Sequence, residues 1–269
     1  MVGMKTLASG LAGLALVLIL VAACTDSPLL DRVEALGSKD AHVPAPGASG
    51  AIVASGPTSS SFNLTWTSAA DAMDQSSLVY KIVASTSNNI GSVADAETLG
   101  SGRFVVQDWA SMPSGFAVVN GIQTGTLYYV TLLVKDSVDN KAIYQVAEGP
   151  AVFSMSWKSG TNSTWSIGSI PPLLNWTYVV NPYSEATMTI ANSGFGTLHM
   201  TGSPHVLIGG ANPSNFAIPT QPPDFLAPGT TYDLIVRAIY VSMAYNKYAQ
   251  AVIANDGGDF VFNLQSYAC

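Results

Sequence analysis

Tyr128-Tyr129-Val130-Thr131-Leu132-Leu133-Val134 is the stretch that decides the fold class. Successive side chains of a strand point to opposite faces, so Tyr128, Val130, Leu132 and Val134 fall on one side of it. Working outward, the same period-two pattern recurs. Phe62, Leu64 and Trp66 alternate within residues 61–67, and Leu78, Tyr80 and Ile82 do so one segment later. Phe104 with Val106, and Ala117 with Val119, mark two more strands, and residues 141–146 close the set after a polar Asp-Asn turn. Clusters of Gly, Pro, Ser, Asn and Asp separate these runs, which is the pattern of a β-sandwich. Residues 48–149 therefore read as one all-β domain.

Residues 150–269 repeat the pattern. Met188 and Ile190, Leu198 and Met200, Leu234 and Val236, Ala251 and Ile253, and Phe260, Phe262 and Leu264 alternate apolar with polar. Asn192-Ser193-Gly194-Phe195-Gly196 and Asn255-Asp256-Gly257-Gly258-Asp259 lie between such runs and are hairpin signals. The expectation is two all-β domains in tandem.

Particular residues carry family resemblances. Ile122-Gln123-Thr124-Gly125-Thr126-Leu127-Tyr128 resembles the segment that introduces the sixth strand of fibronectin type III domains. The resemblance gives Tyr128 the part of a tyrosine corner, its hydroxyl reaching back to main chain. It also puts Trp66 at the core tryptophan of the second strand and Tyr80 at the tyrosine of the third. Residues 134–140 resemble the Asp…Gly-Asn turn of bacterial versions, with Asp139 where Gly is usual. Departures are a long insertion at residues 86–103 and the lack of Arg-Gly-Asp, so adhesion through that tripeptide is not implied. In the second domain, residues 190–198 resemble the N-x-G-x-x-x-L turn of the hydin-like, immunoglobulin-like domains called choice-of-anchor D. Phe216-Ala217-Ile218, residues 226–230 and Ala254-Asn255-Asp256 are similar to three further motifs of that family, in order. Arg237-Ala238-Ile239-Tyr240 departs from its Phe-x-Pro. These resemblances imply two tandem immunoglobulin-like β-sandwiches serving as interaction or spacer modules.

The chain begins with Lys5, an apolar run from Leu11 to Ala22, and the close Val21-Ala22-Ala23-Cys24. This has the layout of a secretory signal peptide. The apolar run is shorter than the ~20 residues that span a bilayer. Val-Ala-Ala-Cys resembles the lipobox of bacterial lipoproteins, which implies cleavage after Ala23 and lipidation of Cys24. The expected layout is a signal peptide at 1–23, the lipidated cysteine and linker at 24–47, then the two domains. Thr25 rather than Asp after the cysteine implies, by the same resemblance, the outer membrane of a two-membrane host. A membrane partner through the lipid follows. Acylation of Cys24 leaves Cys269 as a lone thiol, and a Cys24–Cys269 disulfide is the rival reading.

Removing residues 1–23 deletes Lys5 and no acid, leaving nine Lys/Arg against seventeen Asp/Glu, a net charge of −8. That balance argues against a nucleic-acid partner and against electrostatic docking on anionic lipid. No G-x-S-x-G, H-E-x-x-H, C-x-x-C or Walker loop occurs, so no enzyme activity, cofactor or metal site is expected. His42, His199 and His205 are few and scattered. A hydrolase would need a pocket joining His199 or His205 to a carboxylate. Asp136, Asp139 and Asn140 offer either loose calcium ligands or caps of a β-turn, the latter expected; Asp71 and Asp74 read as a solvated loop. Trp157, Trp165 and Trp176 fall within twenty residues. They read either as faces for sugar rings or a protein partner, or as filler between the sandwiches. The expected function is non-enzymatic binding, adhesion or scaffolding, with carbohydrate binding at the tryptophans as the alternative.

Overall fold

The alternation seen in the sequence becomes strands throughout the computed structural model, which describes residues 40–98, 100, 102–166, 171–177, 179–180, 182–240 and 245–267. Cys24, the signal-peptide reading and Cys269 lie outside them. The chain divides into a unit Met1–His42, of which residues 40–42 are described, and a unit Val43–Cys269 that holds all the described strands.

The first half contributes β1 (Ile52–Ser55), β2 (Ser61–Trp66), β3 (Val79–Ser85), β4 (Arg103–Ala110), β5 (Phe116–Asn120), β6 (Tyr129–Lys135), β7 (Lys141–Ile143) and β8 (Ala147–Glu148). One sheet runs β1-β2-β5 and the other β4-β3-β6-β7, with β8 also on β6. Phe62, Leu64 and Val119 of the first sheet meet Tyr80, Ile82, Val130, Leu132 and Val134 of the second in one core. Two facing sheets in this order make an immunoglobulin-like sandwich of the fibronectin type III kind. Full burial of each Leu, Ile or Val there contributes about 1.5–3 kcal/mol. The Tyr128 hydroxyl accepts the Gln123 N–H at 3.2 Å, which closes the tyrosine corner. Trp66 packs on Tyr80 with ring centroids 5.9 Å apart, and the Tyr80 hydroxyl accepts the Ala69 N–H. Asp139 has φ +72°, the left-handed region in which glycine is otherwise usual.

β6 does not keep one wet face. Thr131 and Leu133, on the side away from the sandwich core, are fully buried. The reason lies in the insertion at 86–103, which folds into helix α1 (Val93–Glu97), capped by Ser92 accepting the Asp95 N–H at 3.1 Å. Val93 and Ala96 of α1, with Ile90 and Trp109, cover Val83 and Leu133 in a second small core.

The second half contributes β9 (Phe153–Gly160), β10 (Ser163–Ser166), β11 (Leu173–Trp176), β12 (Tyr183–Asn192), β13 (Leu198–His199), β14 (Val206–Gly209), β15 (Phe216–Ala217), β16 (Phe225–Leu226), β17 (Thr231–Ile239), β18 (Lys247–Ile253) and β19 (Phe260–Ser266). Sheet β15-β17-β12-β9 faces sheet β10-β11-β19-β18-β14, and β13 pairs with β16. Residues 255–259 turn between the paired β18 and β19, as their sequence indicates. Residues 192–196 do not join a hairpin: β12 pairs with β17 and β9, and β13 with β16. The buried Asn192 carboxamide accounts for this. It donates to the carbonyls of Gly196 (2.8 Å) and Leu226 (2.9 Å) and accepts the N–H groups of Gly194 (3.0 Å) and Val152 (3.2 Å). The loop is thereby tied to β16 and to the entry of β9 instead of returning along β12.

That loop also locks the sandwiches together. Phe195, at its tip, is fully buried in the core of the first sandwich, with ring centroids 5.6 Å from Phe62 and 6.1 Å from Tyr128. The Phe195 carbonyl accepts the Tyr128 N–H at 2.9 Å, and Gly194 that of Gly125 at 3.1 Å. Position 196 must be glycine, because a Cβ there would lie 1.8 Å from the Gly149 carbonyl oxygen.

Candidate functional site

The three tryptophans pack against the second sandwich's own core, and not at the junction between the sandwiches. Trp176, at the end of β11, is 0% exposed and packs against Phe216 at 5.8 Å. Trp157 on β9 and Trp165 on β10 are half-buried against the same core, Trp165 edge-on to Phe262 at 5.9 Å. Trp176 has no exposed face for a sugar ring, and the three together form no stacking platform. Nor do they fill the junction, which Phe195 occupies. The physical reason is strand parity: residues 157, 165 and 176 all sit at inward positions of their strands.

The outer faces of that sandwich differ in chemistry. On β12, β17 and β9 the outward residues include two ion pairs. The Arg237 guanidinium donates twice to Glu185 (3.0 and 2.7 Å) while lying 3.9 Å over the Tyr183 ring. Lys158 pairs with Asp233, which also accepts the Thr189 hydroxyl at 3.0 Å; the lysine, foremost, holds the Asp233 carboxyl below its usual range. The opposite face is uncharged across its middle. Thr164, Asn175, Gln265 and Tyr248 align in one row across β10, β11, β19 and β18, and Ser166, Leu173, Asn263 and Gln250 in the next. Side-chain amides and a phenol meet there: Gln265 Nε2 donates to the hydroxyls of Tyr267 (2.7 Å) and Tyr248 (3.4 Å), and Gln250 to Asn263 (3.3 Å). Sequence reasoning missed this row because it looked for tryptophans; the outward parity of Asn175, Gln250, Asn263 and Gln265 was the available signal.

The histidines fall in separate settings. His199 lies against Phe225, ring centroids 6.5 Å apart, at a cleft of about 440 Å³ between the sandwiches that Glu148, Thr197 and Asp256 also line. Both carboxylates are engaged by main chain, Glu148 accepting the Thr197 N–H and Asp256 the His199 N–H, each at 2.9 Å. His205 Nε2 pairs with the exposed Asp224 at 3.0 Å.

The acidic loops depart from expectation in part. Asp136 caps its turn, Oδ1 accepting the N–H groups of Val138 (2.9 Å) and Asn140 (2.8 Å). Asp139 turns outward to Lys135 (3.0 Å) and Lys141 (3.2 Å), whose hydrogen bonds hold its carboxyl below the usual value. Asp71 is not solvated: it is 9% exposed, folded back to accept the N–H groups of Met73 and Asp74. Asp74 stays at the surface and accepts the Ser137 N–H at 2.9 Å; Ser137 chiefly, then Ser77, keeps its carboxyl below the usual range. Burial beside Tyr80 pushes the Tyr144 phenol above its usual value, while its hydroxyl donates to the Thr67 carbonyl at 2.8 Å.

At the level of sequence, no family model and no curated protein matches the chain. Solved structures similar to it include a protein of unknown function from Porphyromonas gingivalis W83, 12% identical, covering 77% of this chain and 90% of that one with a TM-score of 0.33. Chitinase ChiA74 from Bacillus thuringiensis is 15% identical, covering 76% of this chain and 28% of that one, with a TM-score of 0.29. The FN1–FN3 domains of chicken CNTN1 are 8% identical, covering 84% and 67%, with a TM-score of 0.33.

Proposed function

We propose that the chain is a lipid-anchored envelope protein that binds or spaces partners without catalysis, held at the membrane through Cys24, in the outer membrane by the residue that follows it. The observation that carries the binding or spacing role is Phe195: one sandwich plugs the core of the other, so the pair presents its outer faces as a single body. The Val21-Ala22-Ala23-Cys24 close supports the anchor. Two sandwiches resembling fibronectin type III and choice-of-anchor D modules suit an interaction role, although fold by itself does not assign function. The test is fractionation with fatty-acid labelling. The wild-type chain is expected to take up label and sediment with membranes, and Cys24→Ala to do neither; a Cys24→Ala chain that labels and sediments like the parent overturns the anchor. Protease shaving of intact cells then tells surface exposure from a periplasmic position.

A second reading places a neutral glycan partner on the uncharged face, because aligned amides and a tyrosine offer hydrogen bonds without charge. In affinity electrophoresis against neutral polysaccharides, Tyr248→Ala and Gln265→Ala are expected to abolish retardation and Trp165→Phe to leave it.

A further inference from the structure

Asp71 and Asp136 come from two loops of the first sandwich, one after β2 and one after β6. Main chain holds each in place. Asp71 Oδ1 accepts the N–H groups of Met73 (2.9 Å) and Asp74 (3.0 Å), and the Gln75 amide oxygen takes Asp71's own N–H at 2.7 Å. Asp136 is fixed by Val138 and Asn140, and the Asp74–Ser137 hydrogen bond stitches the two loops together. The result is a pair of carboxylates, 9% and 3% exposed, with oxygens within 4.8 Å of one another. Among the described residues, Asp71 Oδ2 is buried and receives no hydrogen bond. Among the described residues, neither carboxylate takes part in a salt bridge; the neighbouring Lys135 and Lys141 turn to Asp139 and Glu97 instead.

Two like charges this close and out of water disfavour each other, and a buried carboxylate oxygen without a donor adds to the cost. A hard cation between them removes both problems. Calcium takes oxygen ligands at about 2.3–2.6 Å, so two oxygens sharing one ion lie at most about 5 Å apart, as these do. Calcium also tolerates irregular geometry, which suits ligands set by loop main chain, whereas magnesium demands near-ideal octahedra.

We propose that Asp71, through Oδ2, and Asp136 bind a calcium ion that staples these two loops, with water completing its shell. The pair differs from the Asp136, Asp139 and Asn140 grouping of the sequence, since Asp139 faces the lysines. The experiment uses the full chain, stripped with EGTA, then titrated with calcium chloride in a calorimeter and in thermal unfolding, with magnesium chloride in parallel. The wild type is expected to bind calcium with a dissociation constant of roughly 10⁻⁴–10⁻³ M, as extracellular sites do, and to unfold at higher temperature with it. Asp71→Asn keeps the acceptor for Met73 and Asp74 and removes the charge. It is expected to weaken calcium binding about tenfold or more and to lose the calcium-dependent rise, while melting in EGTA no lower than the wild type. Asp139→Asn is expected to bind calcium like the parent. A wild type that neither binds calcium nor gains stability from it at millimolar concentration overturns the proposal. So does an Asp71→Asn chain that binds as tightly as the parent, or a site that prefers magnesium.

Discussion

Asn192 shows how one side chain sets a path. Its carboxamide makes four hydrogen bonds in a site that is almost solvent-free. Asn192→Ala strands those main-chain partners, and an unsatisfied buried group costs about 1–3 kcal/mol. Urea denaturation of Asn192→Ala is expected to show at least that loss, while Asn63→Ala, at a half-buried strand position, is expected to cost less. Trp176 is a second test at this scale. Among the described residues its indole N–H meets no acceptor, so its expected worth is that of its buried volume. Trp176→Ala is expected to destabilise by about 3–5 kcal/mol and Trp176→Phe by clearly less. Equal losses for the two would show that the N–H matters. The sequence marked Asn192 and Trp176 as special residues but not their settings. The partners of Asn192 lie up to 40 positions away in the chain, and three tryptophans close in sequence look alike until strand parity is known.

At the scale of elements, the period-two runs were legible wherever one face of a strand meets the core and the other meets water. Residues 61–67 and 260–264 are examples, buried at alternate positions. β6 obscures the rule because α1 covers its outer side, and a five-residue helix inside an insertion carries too few periods to be seen. Leu133 is the residue on which that cover rests. Leu133→Ala is expected to cost about 2–5 kcal/mol by denaturant titration, as for a core leucine, although it lies on the face an ordinary sandwich leaves wet. Val93→Asp in α1 is expected to destabilise without disturbing the second sandwich, read by chemical-shift changes confined to residues 79–146. The residues 192–196 turn misled because Asn and Gly favour tight turns of every kind. Whether such a turn joins paired strands depends on where the next strand finds its partner, and Leu198 finds Leu226.

For the molecule as a whole, acid is the simplest probe. Asp139 and Asp233 sit below their usual carboxylate values through lysine hydrogen bonds, and Asp74 through Ser137. A carboxyl whose folded value is depressed stabilises above its unfolded value, about 3.9, and that contribution fades as pH falls through the folded value. Thermal midpoints are therefore expected to hold from neutral pH to about 4 and to fall below it, less steeply in the Asp139→Asn, Asp233→Asn double variant. The join between the sandwiches is the other whole-molecule property. With Phe195 inserted, the wild type is expected to unfold in one calorimetric transition; Phe195→Ala, losing about 3–5 kcal/mol, is expected to split it in two. The tandem sandwiches were legible in the sequence, but the plug was not, because Phe195 reads as an ordinary turn residue until the second core is in view.

The seated ring also has a mechanical meaning. A flexible tandem lets its outer part swing freely, so a tug on the far end is spent straightening the joint. Here the joint has little slack. Load applied to one sandwich passes into the other through the ring of Phe195, seated against Phe62 and Tyr128.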